Sequence, residues 1–215
     1  MGTEPHREAA VLAMSDYYER NAKDFYASTV AVDMSEFRAR FLELIPPGGR
    51  VLDAGCGSGR DSAAFLDAGL DVSAFDASPS LAKLASELTG LDVRVCGFSD
   101  IHDLEAFDGV WACASLLHVS RGELPEVLGR LVRSLRSGGA FYASFKQGEG
   151  SRESGGREFT DLTLERLKSL VVAAGLVMHR AWRTEDVRPG REGEYWVNAL
   201  ARKSAARLPG KGAAK

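Results

Sequence analysis

The chain has 215 residues, of which 45% are hydrophobic, and its formal net charge is −3. A chain of this size can bury the core of one α/β domain, so no second domain is required. No apolar run approaches the roughly 20 residues of a membrane helix, and the N-terminal residues lack a signal-peptide core, so we expect a cytoplasmic protein without membrane contact. The odd number of cysteines, without a C-x-x-C pair, argues against a disulfide framework.

The charges are unevenly distributed along the chain. Residues 201–215 contain five basic residues and no acid, so the remainder is more acidic than the net charge suggests. An acidic body lacks the positive surface that follows phosphates, which makes nucleic acid an unlikely partner and favours a small-molecule substrate. We expect residues 204–215, rich in Ala, Gly and Lys, to be a disordered tail. The sequence does not decide between a monomer and a homodimer.

Two helices are predicted first, over residues 6–27 and 33–45, where apolar residues recur at helical spacing. After a Pro-Pro-Gly-Gly break, residues 50–54 form a short apolar run that ends in glycines, which is typical of a buried strand followed by a tight turn. Ser58 is the predicted N-cap of the next helix, which Gly69 ends. In such a strand-turn-helix unit, ligands bind outside the carboxyl end of the strand.

A second predicted strand, residues 71–75, ends at Asp76. A carboxylate at this place can accept hydrogen bonds from both hydroxyls of a ribose. The dinucleotide fingerprint G-x-G-x-x-G would need a third glycine at Arg60 or Ser62, so it is absent in both registers. Asp53, just before the turn, would repel a pyrophosphate but suits a cationic ligand. A sulfonium cofactor with an amino-acid tail is such a ligand.

The later elements continue the alternation of strands and helices. Strands are predicted near residues 92–96, 108–113 and 139–145, and a closing antiparallel hairpin near 176–184 and 194–202. The predicted helix starts are Ser78 with Pro79, a capping box from Ser120 to Glu123, and Asp161, whose helix ends at Gly175. This order indicates an α/β fold.

The turn Asp53-x-Gly55-x-Gly57-x-Gly59 resembles the first motif of the class I S-adenosylmethionine-dependent methyltransferases. Residues 98–101, 107–112 and 137–141 are similar to the segments that follow or form the third, fourth and fifth strands of that family. The resemblance implies a Rossmann-like α/β fold, with a seven-stranded, mostly parallel sheet, helices on both faces and a C-terminal antiparallel hairpin. It places the core in residues 46–203 and makes residues 1–45 a helical lid of the same domain.

The same resemblance implies a cofactor, S-adenosyl-L-methionine, with S-adenosyl-L-homocysteine as the product. In the family the glycine turn lies against the methionine part of the cofactor, and the acid after the second strand holds the ribose. The cofactor-binding residues carried over, with lid and adenine contacts included, are Tyr18, Tyr26, Asp53, Gly55, Cys56, Gly57, Gly59, Arg60, Asp76, Ala77, Phe98, Ser99, Asp100 and Cys113. No metal is expected.

Within this class, the chain is similar to small bacterial methyltransferases described as tellurite-resistance-like. Residues 17–22, 115–118 and 144–150 carry that similarity. The description contains little information on the substrate.

Methyl transfer from a sulfonium needs positioning of the nucleophile and exclusion of water more than it needs acid or base catalysis. His118, just beyond the fourth strand, is the candidate proton acceptor, and a structural histidine is the alternative. Residues 146–159 form a charged, glycine-rich segment too long for an ordinary connection. Lys146 and Arg157 in it are candidates to hold an anionic substrate, and a solvated flexible loop is the alternative.

Other functions remain open at this point. An RNA methyltransferase is disfavoured by the acidic body, and a non-catalytic S-adenosylmethionine-binding regulator would need the same glycine turn. Cys56, Cys96 and Cys113 fall near strand ends, where three thiolates would suit a soft metalloid, but burial in the core is the favoured interpretation.

Overall fold

A computed structural model of the chain describes residues 4–154, 157–188 and 190–204. The helices are α1 (Glu4–Thr29), α2 (Ser35–Leu42), α3 (Arg60–Asp67), α4 (Pro79–Thr89), α5 (Leu124–Ser134) and α6 (Leu164–Ala173). The strands are β1 (Arg50–Ala54), β2 (Asp71–Asp76), β3 (Arg94–Val95), β4 (Phe107–Ala112), β5 (Leu135–Lys146), β6 (Gly150–Ser154), β7 (Arg157–Asp161), β8 (Leu176–Glu185) and β9 (Tyr195–Lys203). Most of the predicted tail lies outside the described residues.

The main sheet contains seven strands in the order β3-β2-β1-β4-β5-β9-β8. β1 pairs in parallel with β2 and β4, whereas β9 runs antiparallel to both β5 and β8. The predicted Rossmann-like fold with its closing antiparallel pair is therefore confirmed. Between β1 and β4 the strand order reverses direction, which is where ligands bind in folds of this type.

Helices cover both faces of the sheet because side chains alternate along each strand. Val110 and Ala112 of β4 belong to one buried hydrophobic cluster, and Trp111 between them belongs to the other. The Trp111 ring stacks on Tyr142 at 3.9 Å between ring centroids. Phe41 of α2 and Phe65 of α3 meet the same indole at 5.2 and 5.5 Å. This aromatic cluster fixes α2 and α3 on the sheet. None of the described helices is long and apolar enough to cross a membrane.

Of the predicted helix starts, the one at Ser78 is confirmed. Its hydroxyl accepts a hydrogen bond from the backbone N–H of Leu81 at 3.2 Å, and Pro79 occupies the first helical position. The cap predicted at Ser58 is wrong. Gly59 precedes α3 in the left-handed conformation at φ 77°, without a side-chain cap. A Cβ at Gly59 would lie 2.9 Å from the Cβ of Ala85, so the turn passes against α4 where a side chain would collide.

The other two predicted helix starts are also wrong. The Ser120 hydroxyl donates to the Glu123 carboxylate at 2.6 Å, and α5 begins only at Leu124. Thr163, not Asp161, caps α6, since its hydroxyl accepts from the backbone N–H of Arg166 at 3.2 Å. Asp161 instead ends β7.

The β6–β7 hairpin replaces the irregular loop that the sequence indicated between β5 and α6. Its strands pair antiparallel, with Arg152 opposite Phe159, and they form a two-stranded sheet separate from the main one. β7 packs against α1 and against the short 3-10 turn Leu116–His118. The hairpin therefore brings a second wall to the carboxyl edge of the main sheet.

Gly109 of β4 offers a test of how closely α2 packs on the sheet. A Cβ at this position would lie 2.6 Å from Cζ of Phe41 and 2.5 Å from Cδ1 of Ile45. Overpacking of this kind costs about 1–3 kcal/mol. We expect Gly109→Ala to lower the free energy of unfolding by that amount in urea denaturation. Gly122→Ala, where a Cβ meets nothing within 4 Å, is the control. Equal effects of the two substitutions would contradict this packing.

Candidate active site

A cavity of about 690 Å³ lies at the carboxyl edge of the main sheet. Its walls come from the glycine turn after β1, from α1, from the β6–β7 hairpin and from residues 184–196. This volume is in the range of small-molecule sites.

The cavity brings together many of the predicted site residues. Those that line it are Tyr18, Asp53, Gly55, Cys56, Gly57, Arg60, Cys113, His118, Lys146 and Arg157. Those that do not line it are Tyr26, Gly59, Asp76, Ala77, Phe98, Ser99 and Asp100. In this second group, Tyr26 belongs to α1, Gly59 lies against Ala85 of α4, and the others lie at or near the ends of β2 and β3. The cavity therefore does not extend to the side predicted for the ribose and adenine.

Asp76 holds the glycine turn in place. Its carboxylate accepts from the backbone N–H of Gly57 at 2.8 Å and from that of Ser78 at 2.9 Å. Gly55 and Gly57 both have positive φ, at 76° and 56°. Burial raises the pKa of Asp76, and these backbone hydrogen bonds oppose the rise. The carboxylate thus joins the turn after β1 to the start of α4.

Helix α1 covers this end of the turn. The Phe25 ring lies 3.2 Å from where a Cβ on Gly57 would stand. One turn and a half earlier, the Glu19 carboxylate accepts from the Ser78 hydroxyl at 2.6 Å and from the Ser80 backbone N–H at 2.9 Å. These contacts place α1 across the end of β2, which explains why Asp76 lies outside the cavity.

Asp53 is a buried carboxyl group on the cavity wall. Its side chain accepts from the Ser62 hydroxyl at 2.6 Å. Burial, together with the negative charge of Asp61, raises the pKa of Asp53 to about 7, although the Ser62 hydrogen bond acts in the opposite direction. A cation brought close to Asp53 would favour its ionised form.

Asp61, which the sequence did not single out, organises the charges beneath the cavity. It accepts hydrogen bonds from Arg38 and from Arg60, both at 2.7 Å, and from the Trp111 indole N–H at 3.0 Å. Burial would raise the pKa of Asp61, but the two guanidinium groups and the indole hold it below its usual value. Arg60 is therefore committed to an internal ion pair, which its position after the glycine turn did not reveal.

Lys146, predicted as a contact for an anionic substrate, is already paired within the protein. Its ammonium group donates to Asp186 at 2.8 Å and also to Glu194. Burial would raise the pKa of Asp186, but its hydrogen bonds from Arg188, Lys146 and Trp196 lower it strongly. Two carboxylates thus compensate the charge of Lys146.

His118 uses both of its ring nitrogens within the protein. Nδ1 lies 3.3 Å from the Glu158 carbonyl oxygen, which can only accept, so Nδ1 carries the proton. Nε2 then accepts from the Tyr18 hydroxyl at 2.9 Å. Burial lowers the pKa of His118 to about 4, and the charges of Arg157 and Arg152 add to this effect. His118 has no free lone pair for a substrate proton, and its catalytic role stays a prediction.

Arg157 differs from the other predicted substrate residue. Its Nη1 donates to the Tyr18 hydroxyl oxygen at 3.3 Å. The guanidinium carbon lies 4.1 Å from the centre of the Tyr17 ring and 5.0 Å from that of Phe159. Its Nε is buried without a hydrogen-bond partner. Among the residues that the structure describes, no carboxylate pairs with Arg157.

The three cysteines do not form a common site. Burial raises the pKa of the Cys56 and Cys113 thiols, the latter to about 12. Cys113 Sγ lies 3.9 Å from Arg60 Nη2 and 3.9 Å from the Ser144 hydroxyl. In the described ranges, no group of three or more His, Cys, Asp or Glu side chains is arranged to hold a metal ion.

Known proteins with similar sequences support a cofactor site at the glycine turn. Residues 51–139, from β1 to the middle of β5, match the sequence profile of the family described as "Methyltransferase domain". These residues are therefore similar to a methyltransferase domain. The recognition from the glycine turn is thus confirmed, and the family segment contains Asp53, Asp76 and His118.

Solved methyltransferases share the fold over almost the whole chain. A 1,6-didemethyltoxoflavin-N1-methyltransferase from Burkholderia thailandensis, crystallised with 1,6-didemethyltoxoflavin and S-adenosylhomocysteine, is 28% identical. The match has a TM-score of 0.74 and covers 94% of this chain and 91% of that one. A TehB-like methyltransferase from Corynebacterium glutamicum is 22% identical, with a TM-score of 0.63 and coverage of 89% and 99%. At that identity the likeness shows the fold alone.

The matches to curated sequences are shorter. An uncharacterized methyltransferase from Staphylococcus carnosus is 31% identical over 122 residues, which is 53% of this chain and 59% of that protein. The match therefore spans less than two thirds of that relative's length. The hairpin wall of the cavity lies beyond the segment that matches the family profile.

The raised pKa of Asp53 predicts how the stability of the methyltransferase domain depends on pH. Because the folded pKa lies above the value of 3.8 for the free group, the buried carboxyl lowers stability progressively as pH rises from about 4 to about 7. At 1.36 kcal/mol per pKa unit, the effect is at most about 4 kcal/mol. We expect Asp53→Asn to gain stability relative to the wild type over this pH range in urea denaturation.

Ser62→Ala is the companion variant for this test. It removes the hydroxyl that favours ionised Asp53, so it should move the pH dependence to higher pH. Parallel stability curves of wild type and Asp53→Asn from pH 4 to pH 8 would show that Asp53 does not titrate in this range.

Proposed function

We propose that the chain transfers the methyl group of S-adenosylmethionine to a small molecule bound in the cavity. The observation that carries this proposal is that one cavity joins the glycine turn to the polar wall of the β6–β7 hairpin. The Burkholderia neighbour, 28% identical and similar over 94% of this chain, is named as a small-molecule methyltransferase and supports it. A cytoplasmic location and a monomeric or homodimeric state stay predictions.

The residues around the glycine turn suit the cofactor. Gly55 and Gly57 line the cavity, and Asp53 beside them offers a carboxylate to a cationic amino group. The cofactor supplies an activated methyl group. The chain binds and orients the cofactor and the acceptor, and it excludes water from them. The Asp76 oxygens accept from the backbone N–H groups of Gly57 and Ser78, and a ribose hydroxyl would be a further donor to this carboxylate. Tyr26, Ala77, Phe98, Ser99 and Asp100 stay proposed contacts on the covered side.

The N-terminal helix is the proposed lid, in agreement with the prediction for residues 1–45. Phe25 lies on Gly57 and Glu19 binds the start of α4, so α1 must shift before a ligand can reach both Gly57 and Asp76. A helix that leaves and returns would also exclude water from the reaction.

Two alternatives predict different results. A regulator that only binds the cofactor would show no turnover with any acceptor, whereas an enzyme forms S-adenosylhomocysteine once a suitable acceptor is present. An RNA methyltransferase would bind RNA with strong salt dependence. The acidic composition outside residues 201–215 favours neither tight RNA binding nor a phosphate-tracking surface.

Calorimetric titration with S-adenosylmethionine, S-adenosylhomocysteine and NAD tests the cofactor. We expect micromolar binding of the two sulfur nucleosides and none of NAD. Gly57→Ala should weaken this binding by about tenfold or more, or 1.4 kcal/mol, because its Cβ stands on the surface that the cofactor contacts. Gly90→Ala is the matched control, since Gly90 has a similar φ of 74° but lies after α4 with nothing within 4 Å of a Cβ.

Each outcome of the titration leads to a different conclusion. Equal loss of affinity in the two glycine variants would assign the effect to backbone strain and remove Gly57 from the cofactor surface. Binding of NAD alone would overturn the proposed function.

Glu19→Gln tests the lid. The substitution weakens the charged hydrogen bonds to Ser78 and Ser80, so we expect faster hydrogen exchange in residues 17–29 and faster association of S-adenosylhomocysteine. The midpoint of urea unfolding should change little. Asp24→Asn makes the same chemical change at an exposed position of α1 and is the control. Unchanged hydrogen exchange and unchanged association of S-adenosylhomocysteine in Glu19→Gln would show that this contact does not hold the lid closed.

A further inference from the structure

One face of β7 supplies three alternate side chains to the cavity. Arg157, Phe159 and Asp161 are two residues apart, so they point to the same side of the strand, and all three line the cavity. They present a cation, an aromatic ring and a carboxylate in that order. This face is the polar wall opposite the glycine turn.

Arg157 stands out among the cations of the cavity. The others each have a carboxylate partner: Arg60 with Asp61, Lys146 and Arg188 with Asp186, Arg152 with Asp161, and Arg191 with Glu194. Within the described residues, Arg157 pairs only with the neutral hydroxyl of Tyr18. Among the described residues, the wall therefore carries one positive charge without a carboxylate partner.

One edge of the Arg157 guanidinium group has no hydrogen-bond partner among the described residues. Nη1 is engaged by Tyr18, whereas Nε is buried without a partner, and Nη2 bonds to no described residue. A buried donor without an acceptor is unfavourable, so a ligand that satisfies it gains affinity. The Nε and Nη2 edge of an arginine matches the two oxygens of a carboxylate.

Asp161 provides a second unsatisfied atom on the same face. The residue is 8% exposed, and one carboxylate oxygen accepts from Arg152 Nε at 2.5 Å. The other oxygen, Oδ1, is buried without a partner. Its partner Arg152 compensates its charge, so Oδ1 offers an acceptor without adding net negative charge to the wall.

The His118–Tyr18 pair cannot take a proton from a neutral acceptor on this side of the cavity. Nε2 of His118 already accepts from Tyr18, and Nδ1 carries a proton. Burial raises the pKa of Tyr18 and lowers that of His118. An acceptor that has already lost its proton in solution avoids this deficiency.

We propose that the methyl acceptor is an organic acid that binds as its anion, with its charged oxygens on the Nε edge of Arg157 and an N–H or O–H group of the same molecule on Asp161 Oδ1. This inference rests on the proposed function and specifies its substrate class. A carboxylate oxygen of the acceptor attacks the methyl carbon as the carbon–sulfur bond of S-adenosylmethionine breaks. The products are a methyl ester and S-adenosylhomocysteine, so no proton has to be removed within the cavity.

Calorimetry of the full chain saturated with S-adenosylhomocysteine tests the subsite with three pairs of probes. Each pair compares an anion with a neutral analogue: benzoate with benzamide, nicotinate with nicotinamide, and orotate with uracil. We expect each anion to bind at least about tenfold more tightly than its neutral partner. Orotate, which adds N–H donors for Asp161, should bind most tightly.

Variants separate the contributions of Arg157 and Asp161 to the binding of the anions. Arg157→Gln should abolish the preference for anions, and Arg157→Lys should restore part of it because the charge returns without the planar edge. Asp161→Asn should lower the affinity ratio of orotate to benzoate. Arg94→Gln, which removes an exposed arginine paired with Asp103 outside the cavity, is the control and should change nothing.

The proposed function and the subsite can fail separately. Wild-type protein that binds S-adenosylhomocysteine but shows no preference for any anion would overturn the subsite alone. A preference that persists in Arg157→Gln would also overturn it. Failure to bind S-adenosylhomocysteine would count against the proposed function, and the same probe titrations without it would still report on Arg157.

Discussion

The buried carboxylate of Asp61 holds the floor of the cavity together. It receives hydrogen bonds from α2 through Arg38, from its own helix through Arg60 and from the sheet through Trp111. A buried carboxylate that accepts this many hydrogen bonds is stable in its charged form. Removal of one member of the ion pairs would leave an uncompensated charge buried in the protein. The aromatic cluster around Trp111 places the indole N–H at the carboxylate, so hydrophobic packing and the ion-pair network depend on each other.

This network also determines which charges remain available to a ligand. Arg60 forms an ion pair with Asp61, and the negative charge of Asp61 raises the pKa of its neighbour Asp53. Across the cavity, Arg157 stays uncompensated by any described carboxylate. The cavity therefore has a side that favours a cation, near the glycine turn, and a side that favours an anion, on the hairpin. A sulfonium donor and an anionic acceptor would each lie on the side that suits its charge.

The sequence predicted best what depends on local geometry. The turn at Gly55 and Gly57 needs positive φ, and Ser78 followed by Pro79 is a strong helix start, so both were visible in the residue types. The position of Asp76 at the end of β2 follows from strand length alone. The closing pair β8 and β9 was visible as two runs at strand spacing.

The features that the sequence did not predict depend on tertiary contacts. Ser58 is a good capping residue, but Gly59 lies where Ala85 leaves no room for a side chain, so the helix begins one residue later. β6 is exposed along nearly its whole length, which hides the alternation that would indicate a strand. Lys146 pairs with Asp186 and Glu194, which lie 40 and 48 residues further along the chain. No local pattern connects them.

A single rigid element, α1, contacts both sides of the cavity. Phe25 and Glu19 cover the end that contains Asp76, whereas Tyr18, two turns before Phe25, joins His118 and Arg157 on the hairpin side. A shift of α1 that uncovers Asp76 would therefore also move the Tyr18 hydroxyl, and the orientation of Arg157 depends on that hydroxyl. Because a helix transmits such a shift over two turns with little deformation, the two proposed subsites are mechanically linked. Occupation of the cofactor side would then change the affinity of the acceptor side, and the reverse effect must be equal in free energy.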